Sequence, residues 1–278
     1  MMKRILLLTD FSENSLNAID YSMNLFKGNT CDFFILHVKS SASYTTDDLM
    51  TLGNESIYNS IVKGEKEELD RMVLDLKTRL NSETFTFKTI VDFDNLTDAI
   101  YQVIKTRAID LIVMGTNGVT GAKEVVFGSN TINVIRTIDC PTLIVPKGFD
   151  FRKANEILLP LDVEDTLSGN AFNKASKFTD RFSEKIHVLR IIPNSDNLPE
   201  DQKDKENLDN YLKSTDYEYH IVNDIPMNYV VDCYIQTHKI DLMILLAQPE
   251  SLLERFFIGS ATTRISNSIR VPLLVFHT

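Results

Sequence analysis

Short continuous apolar runs alternate along this chain with longer stretches whose apolar residues recur every three or four positions. The runs predict strands buried on both faces, as in a parallel sheet. They are Lys3 to Thr9 around Ile5-Leu6-Leu7-Leu8, Phe33 to Val38, Asp110 to Met114 and Pro141 to Pro146. Phe85 to Val91 alternates and predicts one more strand. The periodic stretches predict helices. The first starts in the polar segment Asp10 to Ser15, runs to about Phe26 and is closed by Lys27-Gly28-Asn29. Others are expected over Ile57 to Leu80, Asn95 to Thr106 and Asn130 to Ile138. Lys39 to Ser56 is polar and reads as an insertion, with a short helix around Asp47 to Leu52. Strands alternating with helices predict an α/β fold with a parallel sheet and helices on both faces.

The pattern then restarts after Lys147-Gly148. Glu156 to Asp162 echoes Arg4 to Asp10, and Ile186 to Ile191 echoes the second strand. Asp241, Gly259 and Pro272 each lie 131 positions after Asp110, Gly128 and Pro141, whereas Asp162 lies 152 after Asp10. A fixed offset over three pairs predicts two homologous, doubly wound domains, 1–150 and 151–278, each with a five-stranded parallel sheet. The change of offset places about 21 extra residues in the first half, with Lys39 to Ser56 as the expected site.

Composition narrows the function classes. Of 278 residues, 43% are hydrophobic and 24% charged, which are globular values. A net charge of -10 argues against a general nucleic-acid or anionic-membrane binder, because both need basic surface. No apolar run approaches a membrane span, and the apolar stretch after Lys3-Arg4 is too short for a signal peptide, so a cytoplasmic protein is expected. Cys31, Cys140 and Cys233 form no metal or redox motif and read as reduced and buried. The five histidines have no metal-ligand spacing, and His37 reads as a satisfied core histidine.

The candidate chemistry lies after the fourth strand. Met114-Gly115 is followed by Gly118, and nine residues later by Gly128-Ser129, ahead of a helix that starts near Asn130. Glycines admit an anion close to the backbone, and a helix N-terminus offers free N–H groups and a favourable dipole. Ser129 could cap that helix or donate to a phosphate. Asp10 ends the first strand, and ligands in open parallel sheets sit beyond the carboxyl ends of the strands.

The strand ending in Asp10, Leu36-His37-Val38, the Gly115-x2-Gly118-x9-Gly128-Ser129 spacing and the run Cys140 to Pro146 resemble the ATP-binding branch of the universal stress protein family, in its tandem form. The resemblance implies ATP in a crevice of the N-terminal domain. It places Thr9, Asp10 and Phe11 beside adenine and ribose, Val38 in the adenine pocket, Met114 and Gly115 flanking the ribose, and Gly118, Gly128, Ser129 and Asn130 on the phosphates. Asp10 could accept from a ribose hydroxyl, hold Mg through water, or cap a helix. Asn117 departs from the family pattern, and Lys123 is the only cation in the loop. In the second half Leu246 and Pro249 replace Gly115 and Gly118, so that site is expected to be degenerate. The family further implies that the fifth strands, with Val145 and Val275, pair across a pseudo-two-fold axis, and two chains could associate further. The expected function is an ATP-binding stress-response regulator. A slow Mg-dependent ATP hydrolase and a nucleotide-free scaffold are the alternatives.

Overall fold

A computed structural model describes residues 2–39, 54–80, 84–116, 128–192, 201–212, 214–247 and 270–278. Its first half runs β1 (Arg4–Thr9), α1 (Glu13–Leu25), β2 (Cys31–Val38), α2 (Asn54–Leu80), β3 (Phe85–Asp92), α3 (Leu96–Arg107), β4 (Leu111–Gly115), α4 (Ser129–Thr137) and β5 (Thr142–Val145). The second half runs β6 (Glu156–Leu161), α5 (Gly169–Phe182), β7 (Lys185–Ile192), α6 (Asp201–Tyr211), β8 (Asp216–Asn223), α7 (Met227–Thr237), β9 (Leu242–Ala247) and β10 (Leu273–His277). The predicted strands and helices of the first half all form, with ends shifted by up to three residues. The short helix expected near Asp47 lies outside the described residues.

The ten strands make one sheet in the order β3-β2-β1-β4-β5-β10-β9-β6-β7-β8. Each half is parallel within itself, and the halves join through the antiparallel pair β5–β10. Leu143 faces Leu274 there, with Ile144 opposite Leu273 and Thr142 opposite Val275. That register is symmetric about the Leu143–Leu274 pair, whose members are 131 positions apart in the repeat, so a pseudo-two-fold axis passes through it.

The strands read as unbroken apolar runs because both faces are covered. One core cluster joins Ile5, Leu7, Val113 and Leu143 to Ala18 and Ile19 of α1, Leu69 of α2, Phe172 of α5 and Leu208 of α6. The other joins Leu6, Leu36, Ile112 and Ile144 to Ile100 of α3, Val134 of α4 and Val230 of α7. The helices therefore wind onto both faces. The extra length of the first half is not confined to 39–56. Helix α2 has 27 residues and its counterpart α6 has 11, so most of the difference lies in the helix itself. Cys31 and Cys140 are buried as expected, but Cys233 is exposed. It lies off the stripe Met227, Val230 and Val231 that α7 buries.

Candidate functional site

The order of the first half reverses at β1: β2 and β3 lie on one side, β4 and β5 on the other. Connections leaving to opposite faces open a crevice beyond the carboxyl ends of β1 and β4. A cavity of about 370 Å³ occupies it, within the range of small-ligand sites. Leu8, Leu36 and Met114 give it an apolar floor, and Val38 and Leu96 wall it. Thr9, Asp10, Ser12, Asn14, Ser15, Asp94 and Asn95 bring polar groups, and Gly115, Asn130 and Thr131 complete the lining. Among the described residues no cation lines it.

The turn after β1 is built by short-range hydrogen bonds. Ser12, not Asp10, is the N-cap of α1, and its hydroxyl accepts from Ser15 N–H at 3.3 Å. Asp10 stands two residues earlier, where its Oδ1 accepts from Ser12 N–H at 3.1 Å and Ser12 Oγ–H at 2.5 Å. Partial burial opposes its ionisation, but the Ser12 and Ser15 hydrogen bonds outweigh burial and hold the carboxyl below its ordinary 3.8. Phe11 does not line the crevice. It takes a left-handed φ of 63°, rare for a bulky residue, and packs against the other core cluster. Its ring lies 4.5 Å from that of His37, and its N–H donates to Thr9 Oγ1 at 3.0 Å. His37 is the satisfied core histidine the sequence predicts: it is 8% exposed, and Nδ1 donates to Thr9 O at 2.9 Å. Its Nε2 faces Glu65 of α2 at 3.5 Å, and Glu65 also pairs with Lys39. A partly buried chain of contacts thus supports the turn from behind.

Gly115 has a reason the loop spacing does not reveal. A Cβ built there would stand 2.5 Å from Asn14 O and 2.8 Å from Asn14 C. The missing side chain lets the first turn of α1 close onto the end of β4, where Asn14 Nδ2 donates to Thr116 O at 3.0 Å. Ser129 does not cap α4. Gly128 is the N-cap with an ordinary φ of -68°, no side chain caps this terminus, and Asn130 and Thr131 of the first turn reach the crevice. Gly118, Asn117 and Lys123 lie outside the described residues. Of the residues expected from sequence, the cavity brings together Thr9, Asp10, Val38, Met114, Gly115 and Asn130. Gly128 and Ser129 stand immediately before Asn130 without lining it.

Sequence reasoning missed Asp94, Asn95 and Leu96. They follow the carboxyl end of β3, where Asp92 Oδ1 accepts from Asp94 N–H at 3.0 Å and Asn95 caps α3. The available signal was the same as for Asp10: an acidic turn between a strand and a helix.

The second half is built differently at this place. Helix α1 begins three residues after Asp10, but α5 begins seven after Asp162. Leu246, at the position of Gly115, is 3% exposed and joins the core cluster beneath α5. Arg190, on the strand corresponding to that of His37, is 2% exposed and donates to the carbonyls of Asp162 and Asp165, the latter at 2.9 Å. It pairs with Asp204 of α6 at 2.6 Å, and Tyr219 O–H donates to the same carboxylate at 2.7 Å. Pro249, Glu250, Gly259 and Ser260 lie outside the described residues. Among the described residues no helix is long and apolar enough to cross a membrane.

Comparison with known proteins agrees with this architecture. A universal stress protein of Methanocaldococcus jannaschii is 27% identical over 156 residues, covering 53% of this chain and 96% of that protein. The universal stress protein YxiE of Bacillus subtilis is 29% identical over 147 residues, covering 52% of this chain and 99% of that one. The crystal structure of a universal stress protein from Archaeoglobus fulgidus superposes over 100% of this chain and 97% of its own, with a TM-score of 0.65 at 15% identity, a likeness of fold. The model of the Universal stress protein family matches residues 1–146, and the chain belongs to that family.

Proposed function

We propose that the crevice of the first half binds an adenine nucleotide, with ATP as the ligand, and that the chain is an ATP-binding stress-response regulator built from domains 1–150 and 151–278. The observation that carries this reading is the cavity itself. An apolar floor of Leu8, Leu36 and Met114 suits a flat base, and an uncapped helix N-terminus with Asn130 in its first turn suits phosphate. Asp10, held ionised, is placed to accept from a ribose hydroxyl. With Asp10 and Asp94 both in the lining and no described cation beside them, a triphosphate would enter with a divalent ion. One or two carboxylates together with the phosphates match the usual donor set of Mg. Hydrolysis is not favoured, because an Asp10 oxygen already accepting two hydrogen bonds from Ser12 is a poor general base.

The test is calorimetric titration of ATP with and without Mg onto the whole chain, Gly118→Val and Asp10→Ala. The expected result is one site per chain, weakened in both variants. Wild-type protein that neither binds ATP nor carries an adenine nucleotide through purification would overturn the reading in favour of a scaffold.

A further inference from the structure

A second cavity, of about 350 Å³, lies away from the crevice. Its floor comes from the first half: Met2 before β1, Pro141 before β5, Phe26 capping α1, and Asn29 in the turn that follows. Its wall is the last turns of α5 from the second half, with Phe178 and Phe182 packed ring to ring at 4.7 Å and Phe182 edge-on to Phe26 at 5.5 Å. Lys174, Lys177 and Arg181 also line it, and their spacing puts all three on one stripe of α5.

Three features distinguish this stripe from an ordinary solvated helix face. The chain carries a net charge of -10, yet among the described residues none of the three cations has an ion-pair partner. Helix α1, which holds the pseudo-symmetric place, contains no basic residue, so the stripe is not inherited from the repeat. The charges also reach the first half. Burial pushes the Cys140 thiol up to about 12 and the Cys31 thiol to about 11, while Lys174 and Arg181 respectively act against those rises. The one carboxylate in the lining, Asp110, already accepts from the backbone N–H groups of Lys3 at 2.8 Å and Arg4 at 3.0 Å. The C-terminal dipole of α5 accounts for a cation at Arg181 but not for Lys174, two turns earlier.

We propose that this cleft binds a small amphiphilic anion: a phosphate or carboxylate head held by Lys174, Lys177 and Arg181, and an apolar body laid between the floor and the Phe178–Phe182 wall. The site spans both halves and is independent of the nucleotide crevice. Its ligand would therefore clamp α5 of one half to the strand ends of the other.

The test is calorimetric titration of the whole chain with octyl phosphate and with decanoate, using inorganic phosphate and octanol as head-only and tail-only controls. One site per chain is expected for at least one amphiphile, weakening as salt rises, with both controls at least tenfold weaker. Binding of octyl phosphate alone would assign a phosphate ester, and binding of decanoate would assign a carboxylate. Reversing all three charges to glutamate should weaken binding by about tenfold or more, because three modest exposed contacts are lost together. If the triple variant melts early, the exposed single variant Lys177→Glu keeps the test, with a weakening of about two- to fivefold expected for the loss of one exposed contact. The proposal falls if neither amphiphile binds, if inorganic phosphate binds as tightly as octyl phosphate, or if a charge-reversed protein with unchanged melting binds like the wild type.

Discussion

Gly115→Ala separates two explanations of the same glycine. If Gly115 is needed only to let a ligand approach the backbone, the alanine protein should fold as well as the wild type and bind nucleotide poorly. The structure gives a different expectation. A Cβ 2.5 Å from Asn14 O must move to beyond 3.0 Å, and the obstacle is helix backbone, not the end of a flexible side chain. The first turn of α1 or the end of β4 has to shift by at least about half an ångström, an overpacking strain that costs about 1–3 kcal/mol. The shift also loosens the 3.0 Å hydrogen bond from Asn14 to Thr116 O, worth about 1 kcal/mol. Against this, alanine gains about 0.4–1 kcal/mol by restricting the unfolded chain. The net loss is about 1–3 kcal/mol, which at about 2–4 °C per kcal/mol lowers the melting temperature by several degrees without any ligand. Thermal unfolding of the nucleotide-free protein is the assay. An alanine variant that melts with the wild type would refute the claim that α1 sets the need for glycine.

Other perturbations follow from the same contacts. Ser12→Ala removes both the side-chain cap of α1 and the hydroxyl's hydrogen bond to Asp10, leaving the backbone N–H bond, so it should cost about 1 kcal/mol and move the Asp10 titration upward, toward 3.8, by carboxyl-carbon NMR. Because that carboxyl titrates below its unfolded value in the wild type, its stabilising contribution is present above the unfolded value and disappears as pH falls through the folded one. In Ser12→Ala the acid-side loss should shrink. Asp204→Ala strands the guanidinium of Arg190 in the core and should cost about 3–5 kcal/mol in denaturant unfolding, with Arg190→Met in the same chain recovering part of it. Tyr21→Phe removes a buried hydroxyl without a partner among the described residues and should leave the melting temperature unchanged or raise it.

The strands and the repeat were legible because strands covered on both faces must be apolar throughout, and a repeated fold repeats that signature at a fixed spacing. The crevice was legible at Thr9, Asp10, Val38, Met114 and Asn130, each at a strand end or a helix start. Asp94 and Asn95 were not, because their place beside Asp10 depends on the strand order β3-β2-β1, which local pattern does not encode. Phe11 was misplaced for a related reason: its left-handed φ turns the ring away from the crevice and onto His37. The extra residues of the first half were assigned to a loop because polarity marks loops, whereas a long charged helix such as α2 is polar as well.

The loss of the loop glycine in the second half is tied to the start of its helix. Leu246 is buried in the core cluster that α5 also joins, α5 begins seven residues after Asp162 and not three, and Arg190 fastens the longer turn by its carbonyls. Restoring the glycine alone therefore should not restore a crevice. Leu246→Gly removes a side chain that is 3% exposed, leaves a cavity beneath α5, and should cost about 3–5 kcal/mol, with the backbone freedom of glycine adding to the loss. Calorimetry on that variant should still find a single nucleotide site per chain. A Leu246→Gly protein that keeps its stability, or that gains a second site, would show that one residue, and not the position of the helix start, had closed the second half.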